Sequence, residues 1–76
     1  MLAIQCRMAR TALGWGVREL AAAADVAADT VTRFERGVIL KDRTVTALRA
    51  ALEEAGVIFI EENGEGPGVR LRKQPV

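Results

Sequence analysis

The residues of this chain whose types and spacing could do chemistry are cations and small hydrogen-bonding side chains, not nucleophiles. Between positions 28 and 43 stand Ala28, Asp29, Thr30, Thr32, Arg33 and Arg36, then Lys41 and Arg43. The apolar residues Ala27, Val31 and Phe34 recur at spacings of four and three, one face of a helix. The polar set therefore projects from the opposite face. Small side chains, hydroxyls and a guanidinium on a projecting helix are what a reader of a DNA major groove needs. Overall charge argues for concentration, not excess: 11 basic against 10 acidic residues leave +1. A partner as acidic as DNA then requires the positive charge to gather on one face, and Arg33, Arg36, Lys41 and Arg43 fall close together.

Other chemistries find little footing. The chain has no His, no Tyr and one Cys, so a catalytic acid/base pair, a disulfide framework and a Cys/His metal site are all disfavoured. Cys6 reads as a buried small hydrophobe. The run GEGPG lies between two strands, not between a strand and a helix, and lacks the context of a phosphate-binding loop. We therefore expect no enzyme activity, no metal and no cofactor. With no disulfide, leader or membrane-length apolar run in view, a cytoplasmic protein is expected.

These side chains must be held by a small frame. Seventy-six residues bury only about 60% of their unfolded surface and make one domain. Leu2, Cys6, Ala9 and Leu13 predict a first helix over about residues 2–13, closed by Gly14. Trp15 is expected to cover the gap between this helix and the next. Val17, Leu20, Ala21 and Ala24 predict a second helix over 17–24, with Gly16 at its N-cap. A third spans 28–36, with Asp29 in its first turn and Gly37 ending it. Val45, Leu48, Leu52 and Ala55 predict a fourth over 44–55, capped by Asp42 or Thr44. The apolar run VIFI from Val57 and the alternation Val69, Arg70, Leu71, Arg72 then predict a β-hairpin over 57–73 with a long, flexible loop. The organisation is thus residues 1–56 as the helical unit and 57–76 as a hairpin extension.

Residues 6–56 resemble the lambda-repressor-like helix-turn-helix domains of Cro and XRE-type bacterial and phage regulators. The likeness rests on Arg10, Leu13-Gly14, Leu20-Ala21, Val26, Val31 and the sequence FERG at Phe34 to Gly37, with Leu48 and Leu52 matching the fourth helix. It implies a mainly α fold, a four-helix DNA-binding domain carrying a C-terminal β-hairpin. It also implies sequence-specific binding of double-stranded DNA by a small transcriptional regulator, with helix 28–36 in the major groove. By that resemblance base contacts fall to Ala28, Asp29 and Thr30, with Thr32 and Arg33 further along. Arg33 could reach guanine O6 and N7, Asp29 cytosine N4, and Ala28 a thymine methyl. Arg36, Lys41 and Arg43, and more weakly Arg18, would lie on phosphates. Arg10 and Glu35 would form a structural ion pair that fixes the recognition helix.

Three positions depart from the family pattern. Val17 stands where a Gln is frequent, Asp25 where the turn often has Gly, and Ala27 where Ser or Thr often caps. Asp25 must therefore adopt a left-handed conformation, or the turn is altered. These departures keep open a second reading, an antitoxin-like protein-interaction module with a protein partner and secondary or lost DNA binding. A homodimer through residues 57–73 is expected, the alternative being a hairpin folded back on its own domain. An isolated hairpin is marginal in water, and VIFI offers apolar side chains on both faces. Arg70, Arg72 and Lys73 would keep an edge strand soluble or touch flanking DNA.

Overall fold

A computed structural model describes residues 1–73 of the chain; positions 74–76, the end of the expected hairpin segment, lie outside the described residues. Four helices precede one hairpin: α1 Ala3–Leu13, α2 Val17–Ala24, α3 Ala28–Glu35, α4 Asp42–Glu54, β1 Val57–Ile60 and β2 Gly68–Leu71. The architecture is mainly α, with a two-stranded antiparallel sheet.

Each helix forms because its apolar stripe finds a partner. Cys6 and Ala9 of α1, Leu20 and Ala21 of α2, Val31 and Phe34 of α3, and Leu48, Ala51 and Leu52 of α4 meet in one core. Three of these are fully buried leucines, each contributing about 1.5–3 kcal/mol by leaving water. Helices α2 and α3 pack together across a turn of Asp25, Val26 and Ala27. Asp25 takes the left-handed conformation, φ 56° and ψ 48°. Its N–H bonds Ala22 and the N–H of Val26 bonds Ala21. The turn keeps its shape by straining one non-glycine residue rather than by changing course.

The start of α4 differs from the sequence expectation. The helix begins at Asp42, and Lys41 is its N-cap, without a side-chain cap. The amides of Thr44 and Val45 both bond the Lys41 carbonyl, which fixes the first turn two residues early. Asp42 instead lies in that first turn, where its charge suits the helix dipole. Trp15, expected over the gap between α1 and α2, packs against the core and borders a hollow with Ala23 of α2 and with Ala51, Glu54 and Ala55 at the end of α4.

The hairpin folds back on its own domain. Its register pairs Val57 with Leu71, Ile58 with Arg70, Phe59 with Val69 and Ile60 with Gly68. Val57 is 1% exposed, and Phe59 and Val69 pack against the core. The Arg49 guanidinium lies 4.8 Å from the centre of the Phe59 ring and also pairs with Glu53 and Glu61. The expected alternation in the second strand holds only at Val69; Leu71 is 46% exposed at the rim. The connecting loop carries hydrogen bonds of its own. Glu62 Oε1 accepts from the amides of Gly64 and Gly66 at 2.7 and 2.9 Å, and Asn63 accepts from Glu65.

Gln5 pins this arrangement. Gln5 is a buried polar residue, 3% exposed. Its Oε1 accepts from the Leu2 amide at 2.9 Å, completing the start of α1. Its Nε2 donates to the carbonyls of Ile60 and Gly68 at 3.1 and 3.2 Å, which are register partners at the loop end of the ladder. Gln5→Ala is expected to cost about 1–3 kcal/mol by stranding these groups. The shift should show in the denaturant midpoint, with hairpin amides losing hydrogen-exchange protection first.

Candidate nucleic-acid interface

The outward side of α3 is set by what its inward side buries. Val31 and Phe34 face the core, so Asp29, Arg33 and Arg36 stand exposed on the opposite side, with Thr30 and Thr32 half-buried on the flanks. Ala28 falls differently from its expected place on the projecting face. It is half-buried and packs against the core, one turn before Val31 on the same side. The Thr32 hydroxyl donates to the Ala28 carbonyl at 3.4 Å, so its proton is engaged within the helix.

Thr30 and Arg33 border a hollow of about 370 Å³ together with Lys41, Arg43 and Thr44. Two elements build it. One flank of α3 supplies the first pair, and the loop into α4 together with its first turn supplies the rest. Arg36, at the end of α3, and Arg18, at the start of α2, are exposed but do not line it. Among the described residues no carboxylate pairs with Arg18, Arg33, Arg36, Lys41 or Arg43. These five cations are thus free for an external anion.

The helix that carries Arg33 is locked from behind. Arg10 reaches Glu35 with two bonds of 2.9 Å, Nε to Oε2 and Nη2 to Oε1. Its Nη1 also donates to the Trp15 carbonyl at 3.1 Å, so one guanidinium ties α1 to the end of α3 and to the approach of α2. The buried Cys6 thiol donates to Glu35 Oε2 at 3.4 Å. Arg7 adds a longer pairing at 3.6 Å. The Glu35 side chain is 6% exposed. Burial pushes its carboxyl up, but the bonds from Arg10 and Cys6 and the charges of Arg10 and Arg7 outweigh that and hold it below its usual 4.5. Burial and the facing carboxylate push the Cys6 thiol up to about 12, so it stays protonated as a donor and is unreactive.

Compared with models of known protein families and with curated protein sequences, the chain matches none.

Three participants escape sequence reading. Thr44, expected at most as a helix cap, lines the hollow, and Gln5 docks the hairpin. Cys6 joins the ion pair, for which a signal exists: Cys6 and Arg10 are four apart, on neighbouring turns of α1. The least supported part of the site is the start of α3. Its N-cap, Ala27, has extended backbone, φ −71° and ψ 146°, and no side-chain acceptor. Ala27→Ser is expected to add about 1 kcal/mol and raise the melting temperature by about 4–8 °C, as calorimetry would show.

Among the described residues, no group of His, Cys, Asp or Glu could hold a metal ion. None of the helices is long and apolar enough to cross a membrane.

Proposed function

We propose that the chain is a small transcriptional regulator of lambda-repressor-like fold that binds double-stranded DNA, with α3 in the major groove. One observation carries this reading: unpaired Arg33, Lys41 and Arg43 gather with two threonines at one hollow, on and beside a helix locked by a buried ion pair. A protein of net charge +1 that leaves its cations unpaired in one place has surface suited to a polyanion. Arg33 and Asp29 take base edges; Lys41, Arg43 and Arg36 take phosphates and set the salt dependence. Arg18 is a peripheral phosphate contact. Residence in the cytoplasm and the absence of enzyme activity belong to the same reading. A gel shift on the DNA flanking its own gene, at two salt concentrations, tests it.

A single recognition helix reads few base pairs, so two copies binding two half-sites are part of the proposal. The hairpin supplies the contact between them. Its inner face is used within the chain, which leaves Ile58 on the outer face and the strand edges for a second copy. Ile58→Glu is expected to sediment as a monomer with its stability changed by less than about 0.5 kcal/mol. A dimer surviving that change would contradict the hairpin contact. Cutting the hairpin away is a poorer test, because it removes buried Val57 and leaves Gln5 without either carbonyl.

Asp25 and Asp29, both exposed, with Val17 where a neutral backbone contact is frequent, favour the second reading, an antitoxin-like module that engages a protein. Failure to shift any duplex at low salt moves the chain to that reading.

A further inference from the structure

Ile39 is 96% exposed, the most exposed large apolar side chain among the described residues. Its position gives that exposure meaning. It borders the same hollow as Thr30, Arg33, Lys41 and Arg43. The next residue, Leu40, packs inward against the core, so the chain is anchored just where Ile39 is presented outward.

We propose that Ile39 is an apolar contact to DNA, resting on the deoxyribose or thymine-methyl surface beside the phosphates held by Lys41 and Arg43. This rests on the DNA-binding reading above and adds a residue to it. Charge decides the occupant. A second copy docked here about a two-fold axis would bring the Arg33, Lys41 and Arg43 clusters together, with no carboxylate among the described residues paired to any of them. A duplex offers the opposite charge to the cations and apolar sugar and methyl surface to Ile39. The contact adds affinity that salt does not screen, whereas each phosphate contact adds affinity that salt removes.

The test uses the wild-type chain, Ile39→Ser and Lys41→Ala with a duplex selected by the wild-type chain from a randomised pool, titrated over a range of salt. Ile39→Ser is expected to bind on the order of tenfold more weakly at every salt concentration, with the salt slope unchanged. Lys41→Ala is expected to lower the slope by about 1. A duplex with uracil for thymine separates the two surfaces: loss of the difference between wild type and Ile39→Ser assigns the methyl, and its persistence assigns the sugar. Wild-type affinity in Ile39→Ser, or an altered slope, overturns the proposal. So does a changed oligomeric state of the free Ile39→Ser chain, which would make Ile39 a protein contact. Weakening by Lys41→Ala alone removes Ile39 and leaves the DNA reading standing. A wild-type chain that retains no duplex at low salt overturns both.

Discussion

Arg10→Ala is expected to lower the melting temperature by roughly 12–40 °C, the largest effect of any single substitution outside the leucine core. Removing one partner of a buried pair costs about 3–5 kcal/mol, and a domain this small loses about 4–8 °C per kcal/mol. Its total stability is of the order of 4–11 kcal/mol, so the pair decides whether the fold survives. The cost is high because Glu35 would keep its burial and lose both 2.9 Å bonds, with only the weak Cys6 donor and distant Arg7 remaining. The Trp15 carbonyl would lose its donor as well. Replacing both partners, Arg10→Met with Glu35→Leu, is expected to be less harmful than Arg10→Ala alone, since no orphaned charge stays inside.

The same pair sets an acid limit. The Glu35 carboxyl is held below its ordinary 4.5 in the folded chain, so the charged form stabilises the fold. That contribution is fully present above about 4.5 and is lost as the pH falls through the lowered folded value. Thermal melts should therefore be insensitive to this group near neutrality and fall steeply below pH 4.5. Glu35→Gln should flatten that part of the profile while lowering stability at neutral pH.

The second large effect is on DNA. Arg33→Ala is expected to weaken specific binding by about 1–3 kcal/mol, or roughly 5- to 150-fold, and to relax the preference at one base pair. Lys41→Ala and Arg43→Ala should weaken binding to all sequences evenly, each reducing the salt slope by about 1. The contrast follows from position. Arg33 projects from α3, which would enter the groove, whereas Lys41 and Arg43 stand on the loop and first turn of α4 beside it. Competition titrations over a set of single-base variants would separate the two kinds of loss.

How far the sequence foretold this structure depends on the kind of contact. Stripes such as Leu20 with Ala21 and Leu48 with Leu52 were legible, because helical periodicity survives without knowledge of partners. The end of α1 and the start of α2 followed from Gly14 and Gly16, whereas at Lys41 backbone bonds and not a capping side chain start α4. Ala28 was misplaced because its position lies at the border of the inward and outward faces, and spacing alone cannot say on which side a border residue turns. Gln5 was invisible for a different reason: its partners are carbonyls 55 and 63 residues away, and backbone acceptors leave no trace in residue types. The hairpin's docking on α1 was hidden with it. Of the basic residues, the sequence brought together Arg33, Arg36, Lys41 and Arg43, but only the fold separates those that share a hollow from Arg36, which stands apart.

The central claim, that the α3 face is built for a duplex, is tested most directly by titrating the wild-type chain against DNA at several salt concentrations. Sequence-selective binding is expected, with log affinity falling with log salt at a slope of about −3 per subunit from Arg36, Lys41 and Arg43 on phosphates. Absence of binding at low salt, or binding indifferent to sequence, would contradict it.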